Sequence, residues 1–478
     1  MYEREKDLVQ AFVRGQMSRR SLIRRLGALG VTAGTAGILL NSSATRALAQ
    51  DFDWQRHAGT TIRLLLNQHP YTDAMIANLD NFRELTGMDV TYDVFAEDVY
   101  FERVTAALAA GSSEYDAFMT GAYMTWTYGP AGWIEDLNQW INDPEKTGPQ
   151  YNWEDMLEGV RKSCAWNGQP GAPLGTEDAY QWCIPWGYEQ NNLSYNRRMF
   201  DEIGLDVPGN LDELIETAAK AKAGGDGIYG IGVRGSRSWA TIHPGFLSGY
   251  ANYGQQDLSM ENGALSAAMN TDVSKEYHRK WVQMIKESGA PDWATHTWYQ
   301  VGIDLGAGRS AMIYDADILG YFQNGGTAEA GNLAYAPFAA NPEADAPTPN
   351  IWIWSLAMSR FSQRKDPAWY FIPWASGPEH ILFGARQMDL VNPVRQSVWD
   401  DPDFRQRLEN SYPGYVEMHD VSAPGASIKF TPQPLFFDLT TEWAATLQRM
   451  VADEVPVDEG LDQLAESVNR QLADVGLR

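Results

Sequence analysis

Between residues 62 and 119 the hydrophobic pattern switches repeatedly between two periods, and this alternation constrains the fold more than any other feature of the chain. Ile62-Arg63-Leu64-Leu65-Leu66 is a short, nearly continuous apolar run, as expected of a strand buried on both faces. Met75, Ile76, Leu79 and Phe82 then recur at helical spacing as far as Gly87. Met88, Val90, Tyr92 and Val94 alternate with polar residues, Phe101, Val104 and Leu108 mark a second helical face, and Tyr115-Asp116-Ala117-Phe118-Met119 is a third strand. The order βαβαβ predicts right-handed crossovers in a mostly parallel sheet with helices on both faces. Such sheets bind ligands beyond the carboxyl ends of their strands, here at Asn67-Gln68-His69 and at residues 121–128.

The pattern begins again in the middle of the chain. An extended stretch runs from Ile184-Pro185-Trp186 to Tyr195-Asn196, Leu211, Leu214, Ile215, Ala218 and Ala219 mark a helix, and strands follow at 228–233 and at Ala311-Met312-Ile313-Tyr314. The last residues are helical, with Leu461, Leu464, Ala465, Val468 and Leu472 on one face. A chain of 478 residues has room for two such units. Lys and Arg number 37 against 62 Asp and Glu, a net charge of −25, which argues against a protein that grips nucleic-acid phosphates.

The charge is uneven. Residues 1–49 hold eight basic and three acidic side chains, a net of +5, so the remainder carries −30. Ser18-Arg19-Arg20-Ser21-Leu22-Ile23-Arg24 precedes a Gly- and Ala-rich apolar stretch over 26–40 and then Ala47-Leu48-Ala49, the order of an export leader. The paired arginines resemble the twin-arginine signal of bacteria. The apolar stretch is too short for a membrane span. A periplasmic protein cleaved near Ala49-Gln50, without a lipid anchor, is expected. The two cysteines, Cys164 and Cys183, flank a Gly- and Pro-rich loop and read as one disulfide in an oxidising compartment, which would add roughly 3 kcal/mol. Two buried thiols are the alternative. No phosphate-binding, zinc-protease or nucleophile-elbow motif occurs and no two His stand four apart, so neither a cofactor nor a metal is expected.

Several segments, loose singly but ordered together, resemble the extracellular solute-binding proteins of ABC importers, in particular their carbohydrate-binding group, family 1. They are F-R-E-L-T-G-M-D-V-T-Y (82–92), L-A-A-G-S-S-E-Y-D-A-F (108–118), A-G-W-I-E-D-L-N (131–138), I-P-W-G-Y-E-Q-N-N-L-S-Y-N-R-R-M-F-D-E-I-G-L (184–205), G-A-G-R-S-A-M-I-Y-D (306–315) and N-P-V-R-Q-S-V (392–398). The Pro-x-Thr-Trp usual before the helix at 211 is Pro208-Gly209-Asn210-Leu211 here. The resemblance implies the two-lobed periplasmic-binding-protein fold of type II, an α/β architecture in which each lobe is a mostly parallel sheet with helices on both faces. Lobe one would hold 58–188 plus 357–393 and lobe two 190–350 plus 397–478, with hinges near 188–192, 350–356 and 392–396. The implied function is capture of a sugar, oligosaccharide or polyol by a monomer whose lobes close on it, followed by delivery to ABC permease subunits in the inner membrane.

That role offers a use for 18 Trp residues. A sugar or polyol needs flat aromatic platforms beside carboxylate, amide and guanidinium groups. Position at strand ends and crossings singles out His69, Tyr123 and Trp126 in lobe one, Trp186, Glu189, Trp352, Trp354 and Arg395 at the crossings, and Trp239, Asp315 and Asp317 in lobe two. Trp133, Trp140, Trp281 and Trp443 lie in helical patterns and are expected in the core, and a helix cap is the alternative role for Asp315 and Asp317. Two competing classes remain at this level: a binder of polyamines or other small solutes, served by acidic and aromatic groups, and a secreted glycosidase or lyase, which needs a facing carboxylate pair that nothing in the chain marks out.

Overall fold

The structure, a computed structural model, describes residues 52–478, so the leader expected over 1–49 lies outside the described residues. Its strands are β1 (Thr61–Asn67), β2 (Asp89–Phe95), β3 (Ala117–Gly121), the short β4 (Ala165–Trp166) and β5 (Tyr180–Gln181), the long β6 (Ile184–Asn196), β7 (Tyr229–Gly232), β8 (Leu258–Glu261), β9 (Ala264–Ala267), β10 (Ser310–Ala316), β11 (Leu333–Ala336) and β12 (Ile351–Met358). β2, β1 and β3 pair in parallel, with Ile62 opposite Val90 and Leu65 opposite Phe118. The helices Pro70–Ala77, Leu79–Thr86 and Glu97–Ala109 make the connections, as the alternating periods predict. Ile62, Leu64, Leu65 and Leu66 are all buried, which is why β1 reads as a continuous apolar run. β7 and β10 form a second parallel pair, the nucleus of the second lobe.

β6 and β12 run between the lobes. β12 lies antiparallel to β3, from Trp354 opposite Gly121 to Met358 opposite Ala117, and antiparallel to the first half of β6, where Ile351 stands opposite Gln190. From Asn191 onward β6 pairs with β10, and β11 follows its opposite edge from Leu193. The partner changes between two adjacent residues, so one 13-residue strand serves both sheets in the order β2-β1-β3-β12-β6-β10-β7. Parallel pairs form the outer part of each lobe, and the strands that cross between them are antiparallel.

The centre of β6 is polar and buried at Glu189, Gln190, Asn191 and Asn192, so its side chains need internal partners. Ser422 Oγ donates to Asn192 Oδ1 at 3.0 Å. Oriented to satisfy both of its ends, the Asn191 amide nitrogen donates to the Asn350 carbonyl at 2.8 Å and to Ser248 Oγ at 2.9 Å. Asn350 Nδ2 donates to the His243 carbonyl at 2.7 Å, and its Oδ1 accepts from the Lys429 amide at 2.8 Å.

Local chemistry explains other features. Asn210 replaces the expected helix start by capping the helix Leu211–Gly224: its Oδ1 accepts from the Glu213 amide at 3.1 Å, while Glu213 reaches back to the Gly209 amide at 2.8 Å. Trp140, Trp281 and Trp443 are core residues, and Trp443 Nε1 donates to His278 Nε2 at 2.9 Å; Trp133 is half-buried against the core. Where a disulfide was expected, Cys164 and Cys183 are both buried free thiols. They lie side by side, and burial first, then Cys183, raises the Cys164 thiol well above its ordinary value. Cys164 Sγ also sits 3.5 Å from Ser355 Oγ on β12.

The closest approach near the crossing is at Gly187, where a Cβ would come within 2.0 Å of Tyr71 Cζ. The ring is anchored, since Tyr71 Oη donates to Asn392 Oδ1 at 2.9 Å. Gly187→Ala is therefore expected to destabilise the protein by roughly 1–3 kcal/mol through overpacking. A lower urea midpoint with an unchanged slope is the measurement that checks it.

Candidate functional site

The residues that follow the strands meet between the lobes. Asn67 ends β1, His69 caps the next helix, Glu97 opens the helix after β2, Tyr123 follows β3, Arg234 follows β7 and Asp315 lies near the end of β10. Glu189, on β6, is at their centre. Its Oε1 accepts from Trp354 Nε1 at 3.0 Å and lies 3.7 Å from His69 Nε2. His69 Nδ1 accepts from the Tyr71 amide at 3.4 Å, which leaves the ring proton on Nε2, facing that carboxylate.

Arg234 enters from the second lobe. Its Nε and Nη2 donate to the two oxygens of Asp315 at 3.0 and 2.7 Å, a bidentate pair in which both partners are buried. Nη1 lies 3.4 Å from His243 Nε2, and the fields of Glu189 and Glu97 reach the guanidinium. Burial, with Arg234 adding, holds the His243 ring well below its ordinary pKa, so this His is neutral beside the arginine. Removing Asp315 alone would leave a buried cation unpaired, at a cost of about 3–5 kcal/mol.

Aromatic rings wall this polar cluster. Trp354 packs against His69 at 4.9 Å between centroids and lies nearly parallel to Phe101 at 6.0 Å. Trp352 meets Trp354 edge to face at 5.1 Å and stacks on Trp239 at 5.3 Å and on Tyr123 at 5.6 Å. Three partly or fully buried polar features have room for more bonding: the Asn67 amide, whose neighbour is Glu97, Trp352 Nε1 and His243 Nδ1.

Of the residues singled out in the sequence, His69, Tyr123, Glu189, Trp239, Trp352 and Trp354 come together here, and Asp315 joins them through Arg234. Four do not. Arg395 is buried elsewhere: Nε donates to the Ser376 carbonyl at 2.7 Å, Nη1 donates to Asp155 Oδ2 at 3.3 Å, and the guanidinium covers the Tyr151 ring. Trp126 packs against Tyr123 and Phe436, and Trp186 against Tyr71, both as buried core. Asp317 accepts from Asn392 Nδ2 at 3.0 Å and from Tyr415 Oη at 2.8 Å, and Ala316 stands at the helix cap instead. Glu97 and Arg234 were missed, although the strand-end rule already used for β1 and β3 points to both when applied to β2 and β7. Among the described residues no group of three or more His, Cys, Asp or Glu is arranged to hold a metal ion.

Residues 68–380 match the family described as bacterial extracellular solute-binding protein. The chain is 40% identical over 445 residues to the erythritol/L-threitol-binding protein of Mycolicibacterium smegmatis, covering 91% of this chain and 92% of that one. Solved structures with the same fold include the ABC transporter solute-binding protein of Agrobacterium vitis with bound D-mannitol, at a TM-score of 0.70, 20% identity and coverage of 87% and 99%. Another is that of Agrobacterium radiobacter in complex with ribitol, at 0.71, 17%, 87% and 99%.

Glu97 is the titrating group in this cluster. Burial raises its carboxyl from the ordinary 4.5 to about 7, the negative charge of Glu189 adds to the rise, and Arg234, Trp298 and Asn67 oppose it. Because the folded state holds this proton more tightly than the unfolded chain, Glu97 is expected to lower stability progressively between about pH 4.5 and 7, with no further loss above. Glu97→Gln removes the effect. Urea midpoints of wild type and variant across that range check it: the difference should move in the variant's favour as pH rises and then level off.

Proposed function

The chain belongs to the bacterial extracellular solute-binding proteins, and from that premise we propose that it captures a short-chain polyol between its lobes and delivers it to an ABC permease. Its family binds and hands over solutes without converting them, so the chain is a binding protein and not an enzyme. The observation that carries the ligand class is the 40% identity, across 91% of the chain, to a protein named for erythritol and L-threitol. The chemistry between the lobes agrees with it. Glu189 and Glu97 accept hydroxyl hydrogens, Arg234, Asn67 and Trp352 Nε1 donate, and the Trp354 indole covers C–H surface.

Binding works by closure. A ligand that touches both lobes stabilises the closed arrangement, and this shape is the one presented to the permease. We take the lobes as 58–188 plus 357–393 and 190–350 plus 397–478. The exchange of partners at Gln190 and Asn191 supports a hinge at 188–192, and the Tyr71–Asn392–Asp317 chain of hydrogen bonds supports one at 392–396. A monomer exported by a twin-arginine leader to the periplasm completes the reading. There the adjacent Cys164 and Cys183 are expected to oxidise to a disulfide, checked by counting thiols in the denatured exported protein: none supports the bridge and two refutes it.

One feature favours a second ligand class. Arg234 is already committed to Asp315, which leaves Glu97 and Glu189 able to face a polyamine. Calorimetry and Trp fluorescence with erythritol, L-threitol, ribitol, D-mannitol, maltose and putrescine separate the two. Polyol binding with little dependence on salt is the expected result. Binding of putrescine alone, weakening as salt rises, overturns the polyol assignment.

A further inference from the structure

We propose that the stacked rings of Trp352 and Trp239 close one end of the ligand cleft and limit the length of polyol it admits, with Gly121 as the residue that seats Trp352. This inference rests on the polyol reading and deepens it. Trp352 stands directly opposite Glu189 in the β6–β12 pairing. Residues opposite one another in an antiparallel pair project from the same face, so the indole and the central carboxylate share a surface.

The stack spans the gap between the lobes. Tyr123 comes from the turn after β3 in lobe one, Trp352 from a crossing strand and Trp239 from lobe two. Trp352 lies at 27° to Tyr123 and 29° to Trp239, both stacked arrangements. Tyr123 is fixed in turn, for Oη donates to the Ile351 carbonyl at 3.0 Å and its ring lies flat on Phe436 at 4.7 Å. Trp239 packs edge-on against Phe437 at 5.3 Å. A polyol that extends from the Glu189 cluster into these rings exchanges hydrated hydroxyls for apolar contact, which is unfavourable.

Two details bear on how this wall meets a ligand. Trp352 Nε1 is buried without a hydrogen-bond partner, whereas Trp354 Nε1 is taken up by Glu189. A buried N–H lacking an acceptor is costly, and the terminal hydroxyl of a short ligand supplies one. Gly121 leaves the space in which the indole sits: a Cβ there would lie 2.4 Å from Trp352 Cη2 and 2.5 Å from Cζ2. Any side chain at position 121 drives the ring from its seat.

The test titrates wild type, Trp239→Ala and Gly121→Ala with erythritol, ribitol, D-mannitol and maltose by calorimetry, with melting curves to confirm folding. Wild type is expected to prefer erythritol. In W239A the affinity for D-mannitol relative to erythritol should rise about tenfold or more, and in G121A erythritol affinity should fall about tenfold as Trp352 is displaced. If W239A does not fold, Trp239→Phe provides the same ratio with a smaller expected rise. A wild type that prefers D-mannitol, or a folded Trp239 variant with an unchanged ratio, overturns the inference while leaving the polyol reading in place. A wild type that binds none of the four overturns that reading and this inference with it.

Discussion

Everything between the lobes depends on a single backbone constraint, the exchange of hydrogen-bonding partners along β6 between Gln190 and Asn191. A continuous strand that leaves one sheet and enters another ties two cores together. The polar residues at the exchange follow from it. Where the ladder changes partner, side chains must supply what a uniform sheet would, and the Asn191–Ser248–Asn350 and Asn192–Ser422 contacts do so.

The same strand places Glu189 between the His69 ring and an indole N–H, with the bidentate Arg234–Asp315 pair close by. Both oxygens of Asp315 are bonded to Arg234, so the site presents an arginine whose charge is already balanced. Such a site suits a neutral, hydroxyl-rich ligand better than an anion. Glu97 adds a carboxyl whose proton is held to about pH 7, able to donate or accept according to need.

Much of this was legible in residue patterns. The period changes over 62–119 gave strands and helices in the right order, because period 2 and period 3.6 are local properties of the backbone. The crossing residues Glu189, Trp352 and Trp354 were singled out from the resemblance, and His69 and Tyr123 from the strand-end rule. Arg395 misled because a cation beside a crossing segment looks identical in sequence whether it faces a cleft or, as here, a carboxylate at Asp155 and a Tyr151 ring far along the chain. Asp317, expected as a ligand group with a helix cap as the alternative, instead bonds to Asn392 and Tyr415.

The chain by itself determined the α/β class, the two units and the strand ends that meet between them, since these rest on local periodicity and on a topological rule that holds for any parallel sheet. Only the tertiary structure decided which aromatic residues are wall and which are core. Trp186 and Trp352 have equally plausible positions, yet one packs on Tyr71 and the other opposite Glu189. It also decided that Asp315 acts through Arg234, 81 residues away in sequence. The physical reason is that burial and pairing are properties of residues brought together by the fold, and their separation along the chain carries no trace of that meeting.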